Sequence, residues 1–241
     1  MKILIVSGFL GAGKTTFIKR LARNVDQRFA ILENEYGAAG IDGARLGQNR
    51  QGTQKNVWEM TEQCICCIGK KDFAASVLTI ANVVDPEYLI VEPTGVGSLA
   101  RIIENLRQIE YERIQLLSPV TIVDVYSYRR YMAEYPELYQ DQIRSADTII
   151  VSKTEACQAE EKQRIQKFLQ EINPQAKIIT DYASTMTRED YQSLLLGGRY
   201  EKEVQDTQSG EKMPENLLLL CIIATDMIIT HFIYYFRIVV G

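Results

Sequence analysis

Short apolar runs rich in β-branched residues alternate along the chain with longer segments whose apolar positions recur every three or four residues. The first kind reads as buried strands and the second as amphipathic helices. Strands are predicted at residues 2–7, 28–32, 88–91, 119–123, 148–151 and 177–179, with a short one at 56–60. Helices are predicted at 15–25, 72–83, 98–108, 158–172 and 188–195, with pieces of helix between 127 and 144 broken at Pro136. Thr187, with Glu189 and Asp190 behind it, carries the signs of a helix start: a capping hydroxyl and acids in the first turn. Strand and helix in alternation predict an α/β fold, a mostly parallel sheet with helices on both faces.

Three stretches depart from that rhythm. Residues 37–54 (GAAGIDGARLGQNRQGTQ) are rich in glycine and glutamine and read as a mobile loop. Residues 199–216 are polar and read as a linker, and 217–241 are far more apolar than anything before them. The expected organisation is therefore one domain over 1–198, a linker over 199–216 and a short atypical apolar tail over 217–241. The tail is long enough to span a bilayer, but Asp226, His231 and Arg237 interrupt it, and charge within a span is costly. Its readings rank as a remnant of a second domain, then a docking or homodimer contact, and last a membrane contact.

Composition narrows the function. The 241 residues hold 27 basic and 31 acidic side chains, a net charge of -4, with no basic excess for nucleic acid. Five cysteines, three of them crowded together, do not form a disulfide framework. The apolar N-terminus runs into a glycine loop without a small-residue cleavage site, so it reads as a strand and the expected compartment is the cytoplasm.

GFLGAGKTT carries Gly8, Gly13, Lys14 and Thr15 in the spacing G-x-x-x-x-G-K-[ST], after a strand and before a helix. Its glycines let the backbone curl so that N–H groups face phosphate oxygens at a helix N-terminus. This makes Gly8, Gly11, Ala12, Gly13, Lys14, Thr15 and Thr16 the predicted phosphate-binding residues, with Lys14 on the β- and γ-phosphates and the Thr15 hydroxyl on Mg²⁺. A chance glycine turn is the rival reading. YLIVEPTG puts Glu92 at a strand end, suited to the magnesium shell, with Gly95 behind it to meet the γ-phosphate. The plainer alternative is an acidic loop that opens the next helix. Ser152, Lys153 and Glu155 in VSKTE end another strand, where GTPases commonly place [NTS]-K-x-D to read guanine. Glutamate in place of aspartate makes a looser contact, and an ordinary polar strand end is the alternative.

QCICC sets Cys64, Cys66 and Cys67 within four positions. Three thiolates on one short loop form a soft site suited to Zn²⁺, with cobalt or iron as other occupants. Lys70 and Lys71 lie close enough in sequence to favour the thiolates. A redox pair and plain packing are the competing readings.

With SGFLGAGKTT, ILENEYGAAGIDGARL, QCICC, LIVEPTGVGSLA, TIVD and ADTIIVSKTE in this order, the chain resembles the CobW-like metallochaperone GTPases, relatives of the HypB and UreG maturation proteins. The resemblance spans most of residues 1–155. It implies a P-loop NTPase fold, GTP hydrolysis with Mg²⁺ in which Lys14, Thr15 and Glu92 are catalytic, and delivery of a transition metal to a client metalloprotein or cofactor-dependent enzyme. It also implies a C-x-C-C metal site at Cys64, Cys66 and Cys67, and a switch at Glu33, Glu35 and Gly37. No arginine finger or water-orienting glutamine stands out, so turnover is expected to be slow until a client or second subunit joins. Two alternatives are an ATP-using enzyme of this fold, such as a small-molecule kinase, and a GTP-gated activator that carries no metal. Many relatives have a second C-terminal domain after a histidine-rich stretch, and neither is recognisable in this sequence.

Overall fold

The computed structural model describes residues 1–27, 29–33, 57–61 and 70–201. Among them, strands β1 (Lys2–Gly8), β2 (Phe29–Glu33), β3 (Val57–Thr61), β4 (Tyr88–Glu92), β6 (Val120–Asp124), β7 (Thr148–Ser152) and β8 (Lys177–Ile179) form one sheet in the order β3-β2-β4-β1-β6-β7-β8. Every pairing along it is parallel. A two-residue strand, β5 (Gln115–Leu116), lies beside the first half of β1. The helices are α1 (Lys14–Asn24), α2 (Lys70–Val83), α3 (Leu99–Arg107), α4 (Tyr128–Glu134), α5 (Pro136–Arg144), α6 (Ala159–Ile172), α7 (Tyr182–Thr185) and α8 (Arg188–Leu196).

Side chains of successive strand residues leave opposite faces of a sheet, and here each face has its own core. Ile3 and Ile5 of β1 join Leu89, Val91, Ile103, Leu106, Ile165 and Leu169 on one side. Leu4 and Val6 join Ile31, Ile90, Ile122, Phe17, Ile18 and Leu21 on the other. Helices α2 to α6 cover the first face, and α1, α7 and α8 cover the second. In α1, Phe17, Ile18 and Leu21 are buried at the one-three-four spacing of a helical stripe, each contributing roughly 2 kcal/mol of apolar burial. The predicted layers are those observed.

The elements named from the sequence start and stop within one or two residues of their predicted bounds. Pro136 ends one helical piece and opens the next as the first residue of α5, where its missing N–H costs nothing. Thr187 caps α8 in a reciprocal box with Asp190. Two elements had no sequence signal. Strand β5 exists because β1 has an edge to offer at Lys2 and Ile3, before β6 takes over at Val6. Pro119, which has no N–H for the ladder, separates the two. Helix α7 is a single turn, too short to show a period.

Residues 37–54 and 202–241 lie outside the described residues, as do most of the linker and all of the apolar tail. The packed chain runs to Tyr200, which is buried, donates its hydroxyl to the Ser145 carbonyl at 3.1 Å and bonds the Leu116 carbonyl through its N–H at 2.9 Å. No helix among the described residues is long and apolar enough to cross a membrane.

Candidate phosphate and base site

β1 is central, flanked by β4 and β6, and successive connections leave it to opposite sides of the sheet, which puts a crevice at the carboxyl ends of β1 and its neighbours. The glycine loop between β1 and α1 lies there. Gly8, Gly11 and Gly13 all have positive φ (144°, 69° and 98°), a region that side chains rarely adopt. At Gly8 the need is also steric, because a Cβ would stand 2.5 Å from the Ile122 carbonyl oxygen on β6. Ala12 is buried, Lys14 is 9% exposed at the first turn of α1, and Gly11 and Thr16 are exposed.

Next to this loop, Thr15 donates its hydroxyl to Glu92 Oε1 at 2.9 Å. Glu92 is buried at the end of β4. The loop after it presses on the phosphate loop backbone, since a Cβ on Gly95 would fall 2.4 Å from the Leu10 nitrogen. Gly95 is thus required by close approach. Its carbonyl and that of Gly97 both accept from the Gln142 amide, at 3.1 and 2.9 Å.

Ser152, predicted to help read the base, braces the phosphate loop: its hydroxyl donates to the Ala12 carbonyl at 2.6 Å from a position 3% exposed. Lys153 has a φ of 60° and pairs with Asp124 Oδ2 at 2.7 Å. Asp124 also accepts from the Tyr126 N–H and the Ser127 hydroxyl, both at 2.9 Å, so a buried carboxylate is fully engaged at the end of β6. Glu155 is exposed at the rim. Beside it, the Lys162 ammonium, 2.6 Å from Asp181, holds that carboxyl below its usual range, assisted by the Thr154 hydroxyl.

Phe9 and Leu10, the outer limb of the loop, meet α4 and α5. The Phe9 ring sits 4.2 Å from Tyr131, 5.5 Å from Tyr135 and 5.8 Å from Tyr139, measured between centroids. Tyr131 donates its hydroxyl to the Leu10 carbonyl at 3.1 Å. Burial among these neighbours pushes the Tyr139 hydroxyl pKa far above its ordinary value, so it stays a neutral donor.

Residues 2–180 match the family described as CobW/HypB/UreG, nucleotide-binding domain. The chain belongs to that family. It is 30% identical over 178 residues to the zinc chaperone YeiR of Escherichia coli K12, covering 73% of this chain and 53% of the relative. The crystal structure of Zn(II)-bound YjiA GTPase from E. coli shares the fold with a TM-score of 0.61 at 21% identity, over 90% of this chain and 69% of that one. The hydrogenase maturation factor HypB of Archaeoglobus fulgidus does so at 0.56 and 18%, over 81% and 89%. This chain spans about half the length of the curated relatives it matches.

Within this CobW/HypB/UreG domain, the predicted phosphate and base residues gather at one sheet edge. Glu35, Gly37, Cys64, Cys66 and Cys67 lie outside the described residues. Glu33 is described in its backbone, in register with Thr61 on one side and Glu92 on the other. Among the described residues, no cluster of three or more potential metal ligands occurs, and Cys157 is a free thiol at intermediate burial. The Thr15 hydroxyl and Glu92 carboxylate are hard oxygen donors within hydrogen-bond distance of each other, a set that fits Mg²⁺.

Two contributors to the site were given no role from the sequence. Asp124 closes the TIVD stretch, and what hides its role is that its partner Lys153 lies just past the end of the neighbouring strand β7. Gln142 looks like any amide on an amphipathic helix, and only the fold brings it to Gly95 and Gly97.

Proposed function

We propose that this domain binds GTP with Mg²⁺, hydrolyses it, and couples that cycle to handing a transition metal, zinc foremost, to a client metalloprotein or cofactor-dependent enzyme. The observation that carries the nucleotide half is the Thr15–Glu92 contact of 2.9 Å, beside a glycine loop with three positive-φ residues and a lysine at the head of a helix. Lys14 and the loop N–H groups hold the phosphates and stabilise charge on the transferring phosphoryl group. Thr15 and Glu92 would hold Mg²⁺, which would supply charge compensation for the phosphates. Lys153, fixed by Asp124, lends its stem to the base, and Glu155 receives the guanine N–H donors.

The metal half is supported by Cys64, Cys66 and Cys67 in the sequence and by membership of a family whose relatives include zinc chaperones. The described residues that flank the cysteines in the chain, Thr61 and Lys70, close β3 and open α2. Thr61 stands in the row of Glu33 and Glu92, which supports a reading in which thiols and nucleotide exchange information. By linkage, GTP then changes zinc affinity by the factor by which zinc changes GTP affinity.

The test is a pair of titrations on reduced protein. GTP should displace labelled nucleotide in preference to ATP, and zinc bound per chain should change between the GTP-analogue and GDP forms. The triple variant C64S/C66S/C67S should lose the zinc and keep the nucleotide. Equal affinity for ATP would remove the guanine reading, and zinc retained by the triple variant would remove the cysteine site.

A further inference from the structure

We infer that Gln142 is a positioning residue for the nucleotide site: it sets the loop after Glu92 in the form that distinguishes GTP from GDP. This rests on the nucleotide reading above, and nothing in the motif pattern points to it.

Gln142 is 1% exposed in the last turn of α5. Its Nε2 donates to the carbonyls of Gly95 at 3.1 Å and Gly97 at 2.9 Å, one hydrogen to each. Both partners are carbonyls, so the amide can face them in one orientation only. Its Oε1 has no hydrogen-bond partner among the described residues. A position needed only for packing would be filled better by leucine, since a buried amide is costly unless satisfied.

The end of α5 that carries this amide is fastened to the sheet. Thr121 on β6 donates its hydroxyl to the Gln142 carbonyl at 2.8 Å. Asn173 donates to the carbonyls of Ile143, Arg144 and Ala146. One residue earlier, Asp141 accepts the Leu99 N–H at 2.7 Å and the Ala100 N–H at 3.4 Å, holding the first turn of α3. Residues 94–98 are therefore suspended between Glu92 and α3, with α5 as their fixed reference. A tight turn closes them, from the Gly97 N–H to the Thr94 carbonyl at 3.0 Å.

Peptide planarity makes this useful. In a trans peptide the N–H points away from the preceding carbonyl. Drawing the Gly95 carbonyl onto Gln142 turns the Val96 N–H the opposite way, and fixing the Gly97 carbonyl does the same for Ser98. Gly95 itself is pressed on the Leu10 backbone, so the loop cannot shift without disturbing the phosphate loop. A group that appears only with the third phosphate would be felt through this loop, while GDP would depend on it much less.

The experiment compares wild type with Q142L and Q142N, the latter one methylene too short to reach both carbonyls. Thermal unfolding establishes folding, and affinities for GDP and a non-hydrolysable GTP analogue are then measured with Mg²⁺. The expected result is a fall on the order of tenfold in the ratio of GTP-analogue to GDP affinity in both variants. Equal losses for the two nucleotides, or no loss, would reduce Gln142 to a packing role. Should Q142L not fold, Q142N and amide exchange of residues 94–98 in the wild type decide. That exchange should differ between GDP and the analogue, and identical rates would overturn the inference. Wild-type protein that binds neither nucleotide would instead bring down the nucleotide reading itself.

Discussion

Ser152 donates its hydroxyl to the Ala12 carbonyl over 2.6 Å, joining the end of β7 to the middle of the phosphate loop. The strand that ends in the proposed base-side residues thus also fixes the loop proposed to meet the phosphates. Ser152→Ala should therefore weaken GDP and GTP alike, by about threefold to tenfold, the value of one buried hydrogen bond. Fluorescent guanine nucleotide titrations measure both, and a loss confined to GTP would contradict this account.

Thr15→Ala should raise the Mg²⁺ concentration needed for half-maximal GTP hydrolysis and lower the rate on the order of a hundredfold. Thr15→Ser, which keeps the hydroxyl, should restore most of it. Phosphate release measured across a Mg²⁺ titration separates the two, and indistinguishable curves for Ala and Ser would rule out the hydroxyl as a metal ligand.

Three glycine substitutions should rank in order of local crowding. Gly11→Ala meets no atom within 4 Å and carries only the strain of its φ of 69°, about 1–2 kcal/mol. Gly95→Ala drives a Cβ to 2.4 Å from the Leu10 nitrogen, and Gly8→Ala to 2.5 Å from the Ile122 oxygen at a φ of 144°. Both should lower the midpoint of thermal unfolding more than Gly11→Ala does, with Gly8→Ala worst because clash and dihedral strain combine there.

Acid should expose the Asp181–Lys162 pair. Lys162 holds the Asp181 carboxyl below its ordinary value of 3.8, so the unfolded chain binds this proton more readily than the folded one. The pair's stabilisation is then complete above that value and is lost as pH falls through the folded pKa. Both side chains are about a quarter exposed, which limits the effect to roughly 0.5–1 kcal/mol. Asp181→Asn removes the titrating group while tolerating the left-handed backbone at φ 55°. Its unfolding midpoint should depend less on pH between 5 and 3, roughly the span over which an aspartate titrates. Asp141 works in the other direction: burial raises its carboxyl pKa, so its contribution favours acid and declines as pH rises through the folded value.

The sheet and its layers were legible because buried parallel strands are nearly continuous apolar runs, as in Ile3–Val6 and Ile149–Val151, and their helices keep a regular stripe. The phosphate loop was legible for a different reason: its φ angles demand glycine at Gly8 and Gly13 whatever surrounds them. What sequence could not supply was any contact between distant segments. Ser152 reads as part of a base motif, yet its hydroxyl is spent on a carbonyl 140 positions away. Asp124 meets Lys153 across 29 positions and Gln142 meets Gly95 across 47. Local patterns carry local geometry, and these contacts are made by topology alone.

Strand β1 sends Ile3 and Ile5 into one hydrophobic cluster and Leu4 and Val6 into the other. The two halves of the interior consequently have no independent fate. A void opened by truncating Leu169 on one face or Leu21 on the other loosens the same central ribbon, and the loop at its end loosens with it. Heat resistance and ligand retention should decline in step across core variants from both sides of this protein.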